Sequence, residues 1–226
     1  MLETVARRLL RAVFGGGADI SAANPLPVDT SPGAKTIATI INLAALAAAT
    51  TTTLAQCTAV DLRNGPATLA LTVLAIYGAA TRGLRVHVRT SPTNSATGTH
   101  PGAINLTVMT DPNAHFRVNE LIGLTILNVT DGSSGVITAN TLNTVTVAAL
   151  LGGVTNQWNP GDAYSIAGAD YDAEDWDVWD TAFTASVALR ETENYDTDPA
   201  YLKVLIENLD PAVAVTLLRV VASLGV

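Results

Sequence analysis

A strict alternation of apolar and polar residues over residues 84–90 constrains the fold of this chain more than any other feature. The apolar positions are Leu84, Val86 and Val88, and the polar positions are Arg85, His87 and Arg89. Successive side chains of a strand point to opposite faces, so this pattern predicts a strand with one core face and one wet or interfacial face. Runs of β-type composition at residues 67–77, 201–207 and 213–222 lie between Gly, Pro, Asn or Asp. The sequence therefore predicts an all-β chain from Lys35 onward.

The composition indicates that this β protein is covered by partners. Hydrophobic residues make up 48% of the 226 residues and charged residues only 14%, which is more apolar and less charged than an ordinary soluble domain. An apolar surface of this kind is most simply buried in oligomer contacts. We expect a homo-oligomer, with a trimer as the first choice and a pentamer or hexamer as alternatives.

Charge and cysteine content exclude several classes of function. The formal net charge of −8 repels phosphate backbones and argues against nucleic-acid binding. The longest apolar runs are too short for a transmembrane helix, so we expect no membrane partner. Cys57 is the only cysteine, and a single thiol forms neither an internal disulfide nor a cysteine metal site. Its apolar surroundings predict a buried, inert thiol.

The first 34 residues differ from the rest of the chain. Residues 1–17 are predicted to form a short amphipathic helix that ends at three glycines, with an apolar face for docking on another subunit. The apolar face comprises Leu2, Val5, Leu9, Leu10 and Val13. A transit peptide or a membrane-surface anchor is the alternative for such an arginine-rich N-terminus. Residues 18–34 include NPLPVDTSPG and are predicted to form an extended linker.

A segment rich in Thr, Asn and Gly interrupts the β domain. Residues 97–168 are predicted to form an inserted small β-barrel or sandwich module with five strands. The five predicted strands are residues 103–109, 124–129, 135–139, 144–149 and 163–167. Residues 35–96 and 169–226 then form one discontinuous β-sandwich, jelly-roll-like, because exposed loop tips accept inserted domains most readily.

An acidic segment, DYDAEDWDVWD at residues 170–180, packs six carboxylates and two tryptophans into eleven residues. A calcium loop of the EF-hand kind needs Gly at its sixth position and Glu at its twelfth, and these positions hold Asp175 and Thr181. A looser calcium site formed by Asp170, Asp172 and Asp175 is one interpretation. The favoured interpretation is a solvated acidic loop anchored by its tryptophans.

No group of residues predicts catalysis. The three histidines share no metal-ligand spacing, and His87 alternates with arginines on a polar strand face, where it is expected to make a surface or subunit contact. Ser133 and Ser134 lie in a turn, TDGSSG, which is neither a nucleophile elbow nor a phosphate loop. We therefore predict no active site, no cofactor and no enzyme activity. Arg85, His87 and Arg89 are predicted to form a subunit interface.

Several strings resemble structural proteins from the virion gene clusters of tailed bacteriophages. They are NPLPVDTSPG, then GLRVHVRTSPTN with YDAEDWDVWDTAF and PAYLKVLIENLDP, and finally the segment at residues 121–166 beginning LIGLTILNVTDGSSG. The second group resembles neighbouring strands of one phage β-sandwich, and the third resembles a small β module reused in phage structural proteins. The resemblance covers most of residues 18–226 and implies a β-sandwich, self-assembly and no catalysis.

The resemblance implies a virion component that docks to itself and to other virion proteins, in capsid decoration, a collar or a tail. The alternative is a module that binds a host glycan or receptor through the inserted domain or the loops around Trp158, Trp176 and Trp179. A depolymerase that uses the acidic segment is the weakest interpretation, because two catalytic carboxylates need a defined sugar-binding cleft beside them.

Overall fold

The computed structural model describes residues 35–66, 68–171, 175–195 and 199–225. Residues 35–226 form one compact unit. The prediction of an all-β, sandwich-like fold is confirmed, and a single 3-10 turn at Leu54–Gln56 interrupts the strands. No helix among the described residues is long and apolar enough to cross a membrane. The predicted helix at residues 1–17 and the linker at residues 18–34 lie outside the described residues.

Fourteen strands follow one another in the described part of the chain. They are β1 (Thr36–Leu46), β2 (Val60–Asp61), β3 (Thr68–Ile76), β4 (Leu84–Ser91), β5 (Ser95–His100), β6 (Val108–Thr110), β7 (Thr125–Asn128), β8 (Ser134–Asn140), β9 (Thr144–Val147), β10 (Asp162–Ala167), β11 (Asp177–Asp180), β12 (Ala188–Tyr195), β13 (Tyr201–Asn208) and β14 (Val215–Gly225).

Two four-stranded antiparallel sheets enclose the main core. Sheet 1 has the strand order β1-β14-β3-β12, and sheet 2 has the order β11-β4-β13-β2. Every second residue of the central strands points inward, because strand side chains alternate between faces. Val73 of β3, Val86 of β4 and Val220 of β14 are completely buried in this core.

A third sheet of six strands, in the order β5-β10-β7-β8-β9-β6, contains all the strands between residues 95 and 167. We call this part of the chain the insert. Its core includes Trp158 and Ile126, and the same core takes in Leu54 and Leu205 from the sandwich. Leu205 lies on the face of β13 opposite to the main core. The insert therefore packs on part of the outer face of sheet 2, and β13 is buried on both of its faces.

The predicted strand at residues 103–109 is shorter in the structure, where β6 begins at Val108. The residues before it are held by other contacts. Asn105 forms a backbone bridge with Trp158, and its side-chain Oδ1 accepts hydrogen bonds from the amides of Thr107 and Val108. This local side-chain bonding competes with regular strand pairing. The acidic segment also differs from the predicted loop, since its last four residues form β11 beside β4.

Candidate functional site

The charged residues of β4 lie on the outer face of sheet 2, and their exposure falls along the strand as the insert begins to cover it. The side chains of Arg85, His87 and Arg89 are 39%, 12% and 1% exposed. The alternation predicted from the sequence is therefore correct. The polar face is exposed to solvent at its Arg85 end and is buried at Arg89.

Arg89 is the centre of a buried charge cluster. Its Nε donates to Asp175 Oδ1 at 2.6 Å, and its Nη1 donates to Glu120 Oε2 at 2.7 Å. Arg117 adds a second guanidinium, 3.4 Å from Glu120 and 3.8 Å from Asp175. The two short hydrogen bonds of Arg89, at 2.6 Å and 2.7 Å, are charge-assisted. Such bonds are among the strongest in proteins. Because Glu120 and Arg117 belong to the insert, this cluster ties the insert to the sandwich.

His87 lies between two carboxylates on the same face. Its Nδ1 is 2.8 Å from Asp175 Oδ2, and its Nε2 is 3.2 Å from Glu207 Oε2. Asp175 therefore accepts from His87 with one oxygen and from Arg89 with the other. Both ring nitrogens of His87 are therefore engaged by carboxylates of the same chain.

The two carboxyl groups beside Arg89 are perturbed in opposite directions. Burial raises the pKa of Glu120, and the charge and hydrogen bond of Arg89 offset this only in part. Burial also acts to raise the pKa of Asp175, but hydrogen bonds from His87 and Arg89 outweigh it, so that this pKa is lowered. Arg89 thus favours the charged form of both carboxylates, and His87 adds to this at Asp175.

The structure corrects the predicted interface at Arg89. A side chain that is 1% exposed, with both carboxylate partners in the same chain, is not available to a second subunit. Arg85 forms an exposed pair with Asp180, and its role in a subunit contact stays a prediction, as does that of His87. Leu2, Val5, Leu9, Leu10 and Val13 lie outside the described residues.

The residues of the predicted calcium site have other partners. Asp175 belongs to the Arg89 cluster, and Asp170 accepts a hydrogen bond from the Thr93 hydroxyl. Asp172 lies outside the described residues. Within residues 35–66, 68–171, 175–195 and 199–225 no group of three metal-ligating side chains comes together. Cations already neutralise Asp175, which leaves it a poor ligand for calcium in this arrangement.

Two clefts adjoin the charge cluster and share Arg117 and Glu120 in their walls. The smaller cleft, about 330 Å³, is lined by His87, Arg89 and Glu207. The larger cleft, about 750 Å³, is lined by β5 on one side and by the segment after β6 on the other. Tyr164 donates to Asp111 Oδ2 at 2.8 Å on its floor, and burial is the main cause that raises the pKa of Tyr164. We call this larger space the β5 cleft.

The three tryptophans occupy different environments. Trp158 is completely buried in the core of the insert, so it cannot stack on a ligand. Trp179 is partly buried against the main core and donates from Nε1 to the Tyr195 hydroxyl at 2.7 Å. Trp176 is 45% exposed, and its ring centroid lies 5.5 Å from that of Tyr195. Of the predicted glycan-contacting tryptophans, Trp176 alone presents much of its ring to solvent.

The sequence pattern did not reveal the buried lysine of sheet 2. Lys203 is 3% exposed, and its Nζ donates to the carbonyl oxygens of Leu54 at 3.0 Å and Gly168 at 2.9 Å. Burial lowers its pKa. The same region holds Cys57, which accepts a hydrogen bond from the Val204 amide and is a buried free thiol, as predicted. Glu120 was also missed, because an isolated Glu in a loop sequence carries no pairing signal.

Comparisons with known proteins show no family for this chain. No protein-family model matches the chain, and no curated protein matches it. The chain is similar to a structure of the Gx strain of infectious bursal disease virus, with 11% identity, coverage of 93% of this chain and 46% of that chain, and a TM-score of 0.16. It is also similar to a mutant VP2 protein of that virus in derived T=1 particles, with 12% identity, 94% and 45% coverage, and a TM-score of 0.10.

The chain thus spans less than half the length of either viral chain. At these TM-scores the likeness shows neither a shared fold nor a shared function.

Proposed function

We propose that this chain is a non-enzymatic structural component of a virus particle. More narrowly, we propose a tailed-bacteriophage particle, in which the chain decorates the capsid or forms part of the collar or tail. The observation that carries the proposal is an apolar sheet surface on the insert that faces away from both cores. This surface comprises Leu127, Val129, Val136 and Leu151, which are 40%, 53%, 58% and 69% exposed.

The register places these four side chains on one side of the sheet. Leu127 lies opposite Ser134, and Thr125 lies opposite Val136, while Leu151 bridges to Ser134. The intervening residues, such as Ile126 and Ile137, are buried on the other side. Exposed apolar side chains grouped on one face of a sheet favour a contact with another protein. A subunit of an assembly has such a contact, and this supports self-association as the way in which the chain acts.

The phage assignment is supported by the sequence strings and not by the fold. The strings GLRVHVRTSPTN, YDAEDWDVWDTAF and PAYLKVLIENLDP contribute β4, β11 and β13, which are neighbours in sheet 2. Their adjacency agrees with the resemblance that makes them neighbouring strands of one sandwich.

Light scattering on the purified full chain tests the assembly step. We expect an oligomer at micromolar concentration, with a trimer as the first choice. Val136→Lys should shift the mass towards the monomer, because a buried ammonium in an apolar contact is strongly unfavourable. Thr192→Lys, which places the same charge on the outer face of sheet 1, is the matched control. A monomer at all concentrations, or an oligomer unaffected by Val136→Lys, would contradict this step.

Imaging of particles labelled with an antibody against this chain tests the virion location. Label on the head, collar or tail supports the proposal and distinguishes the three roles. The absence of the chain from purified particles would contradict the proposal.

A second candidate function is host-glycan binding, which the exposed ring of Trp176 favours. Its partner Tyr195 donates to Asp177 Oδ2 at 2.9 Å, so an aromatic face and a carboxylate lie side by side. Aromatic faces beside polar groups suit sugar rings. A glycan array with the full chain, repeated with Trp176→Ala and with the distant Phe183→Ala as control, tests it. Binding lost only in Trp176→Ala supports this function, and no binding to any glycan opposes it.

A further inference from the structure

Among the described residues, the two end strands of the insert, β5 and β6, are joined by a side chain and not by a backbone ladder. The buried imidazole of His100, the last residue of β5, makes the joint. Its Nδ1 accepts from the Thr110 amide of β6 at 2.9 Å, and its Nε2 donates to the Ala103 carbonyl at 3.0 Å. The sheet therefore curls so that its two ends meet at His100. Beyond this joint the β5 cleft lies between β5 and residues 113–117.

β5 has a free backbone edge in this cleft. Within the described residues it pairs with β10 alone. The Asn94 carbonyl, just before β5, accepts from the Gly168 amide on the β10 side. Alternate residues of an antiparallel ladder direct both their N–H and their C=O towards the same neighbour. Thr97 and Thr99, which line the cleft, therefore direct their backbone groups away from β10. Such an edge is a template for another strand.

The wall of the cleft has no side chain at Gly98, which lies opposite Tyr164 in the ladder. A Cβ at this position would overlap with Asp111 Oδ2 and with the Tyr164 hydroxyl. Glycine is therefore required here, and it brings the Asp111 carboxylate directly against the backbone of β5. The cleft, of about 750 Å³, has room beside this backbone for an added strand.

Two carboxylates in the walls of the cleft have no cationic partner. Asp111 Oδ2 accepts from the Tyr164 hydroxyl at 2.8 Å, and Asp111 Oδ1 accepts from the Asn113 amide at 2.9 Å. Asp170 accepts from the Thr93 hydroxyl. Neither carboxylate forms an ion pair with any residue in the part of the chain that the structure describes. Both negative charges are therefore held by neutral donors alone.

The charge of the cleft favours a cationic occupant. Arg117 and Glu120, which also line it, lie 3.4 Å apart and offset each other. With histidine taken as neutral, the uncompensated charge of the cleft is negative, and the whole chain carries a net charge of −8. Complementary potentials steer encounters between proteins and exclude partners of the same sign.

We propose that the β5 cleft binds an extended basic segment of a partner protein, which adds to the free edge of β5. Backbone hydrogen bonds to Thr97 and Thr99 hold the segment. Its lysine or arginine side chains pair with Asp111 and Asp170. In strand addition of this kind the main chain supplies affinity and alternate side chains supply specificity. The proposal does not depend on the virion role.

The positions of the two carboxylates set the spacing of the cations. Asp111 lies against Gly98, and Asp170 is bonded to Thr93, five residues earlier. Five extended residues span about 16 Å. Because side chains on one face of a strand occur at every second residue, the two cations of the segment should lie about four positions apart.

Selection from a displayed library of random peptides, with the full chain as the target, tests the site. The peptides should have about eight residues, slightly more than the six of β5. We expect the recovered peptides to carry lysine or arginine about four positions apart. Proline should be rare between these positions, because it removes a donor from the ladder. Recovery of no common sequence, or of acidic sequences, would overturn the proposal.

A charge variant tests the role of the carboxylates. Asp170→Asn removes the charge and keeps an acceptor for the Thr93 hydroxyl. The affinity of the most strongly recovered peptide, measured by fluorescence anisotropy, should fall about tenfold, as expected for the loss of one charge-assisted contact. Asp180→Asn makes the same change outside the cleft, in the exposed pair with Arg85, and is the matched control. Equal affinities of the two variants would contradict the recognition of a basic segment.

A backbone variant tests the strand addition. Thr97→Pro removes the outward N–H and keeps the pairing with β10, since proline is tolerated at such edge positions. It should abolish peptide binding, whereas Thr97→Ala should retain it, and a cooperative thermal transition checks that each variant folds. If Thr97→Pro does not fold, hydrogen exchange on the wild-type chain replaces it, and the Thr97 and Thr99 amides should exchange about tenfold more slowly with peptide.

Three results would overturn the strand addition. They are full binding by a folded Thr97→Pro chain, unchanged exchange of the Thr97 and Thr99 amides on adding peptide, and a saccharide as the ligand of the cleft. The last would appear as binding on a glycan array that Asp170→Asn abolishes, with no peptide recovered from the library.

Discussion

Two arginines on one strand face show how strongly position decides the energetic role of a charge. Arg85 and Arg89 both pair with an aspartate. Arg85 and Asp180 are 39% and 52% exposed, whereas Arg89 and Asp175 are 1% and 15% exposed. Exposed ion pairs contribute little because water screens them, while a buried charge without its partner is strongly unfavourable. Two arginines that are four residues apart on one strand therefore contribute very differently to stability.

We predict that Arg89→Met lowers the free energy of unfolding by about 3–5 kcal/mol, because Glu120 and Asp175 lose the cation on which they depend. Arg85→Met is the matched control and should cost about 0–1 kcal/mol, as expected for an exposed pair. Denaturant unfolding at neutral pH measures both. Equal effects of the two substitutions would mean that water reaches the Arg89 cluster.

The buried thiol predicts a loss of stability at alkaline pH. Burial raises the pKa of Cys57 from 9.0 to about 11, although the Val204 amide and the Lys203 charge act to lower it. Between these values the folded chain keeps the proton and the unfolded chain releases it. The contribution of the thiol is complete below pH 9 and is lost as the pH rises through 11, by about 2–3 kcal/mol. Denaturant unfolding between pH 8 and pH 11 measures the loss.

Cys57→Ala isolates this effect from other groups that titrate in the same range. The lowered pKa of Lys203 acts in the opposite direction, since stability increases as the pH approaches its ordinary value of 10.5. The difference between the wild type and Cys57→Ala at each pH cancels that contribution to first order. A constant difference from pH 8 to pH 11 would show that the thiol is not protected by burial.

At the scale of elements, the insert and sheet 2 stabilise each other through mixed contacts. Leu205 of β13 belongs to the core of the insert, and Lys203 beside it donates to Gly168 at the end of the insert. Glu120 reaches Arg89 from the insert, and its backbone carbonyl accepts from the Leu54 amide. The insert is therefore both a separate sheet and a cover for the outer face of sheet 2.

We predict that residues 97–168 can be replaced by Asn-Gly without loss of cooperative unfolding. All eight strands of sheets 1 and 2 lie outside this range, so the main core stays complete. Stability should fall, because Leu205 becomes exposed and Arg89 loses Glu120. Adding Leu205→Thr should recover solubility. Circular dichroism during thermal unfolding provides the measurement, and an insoluble or non-cooperative product with both changes would contradict an independent sandwich.

Periodicity identified the elements with strong alternation and missed those without it. β3, β4, β13 and β14 were predicted from the sequence because each carries β-branched or leucine residues at regular positions. β5 has the sequence SATGTH, whose Ala, Gly and Thr carry almost no hydrophobic signal. β12 has the sequence ALRETENY, whose charges stay exposed at a sheet edge. Tertiary pairing and not local propensity forms these two strands.

The charge cluster was predictable only in its members on β4. The alternation placed Arg85, His87 and Arg89 on one face, and the acidic segment was recognised as a group of carboxylates. Which carboxylate meets which cation depends on how the insert lies on sheet 2, and no local pattern encodes that contact. The sequence therefore predicted a polar face at Arg89, and the structure shows that this face is buried.

For the whole molecule, the first 17 residues are predicted to serve a partner and not the fold. They lie before the compact unit of residues 35–226, and the predicted apolar face of Leu2, Val5, Leu9, Leu10 and Val13 would bind a neighbouring protein. Deleting residues 1–17 should leave the thermal transition of the purified chain unchanged and should reduce its incorporation into particles. Normal incorporation together with a lower transition temperature would reverse this assignment.

The burial of β13 on both faces affects how this strand tolerates sequence change. In β13, the five consecutive residues from Leu202 to Ile206 are all buried, whereas in β3 of sheet 1 the fully buried side chains occur at every second position. In saturation mutagenesis of β3, tolerant and intolerant positions should therefore alternate. Along β13, all positions from Leu202 to Ile206 should be intolerant. Polar substitutions should destabilise the fold at the even-numbered positions, and apolar substitutions of a different length should destabilise it at Lys203.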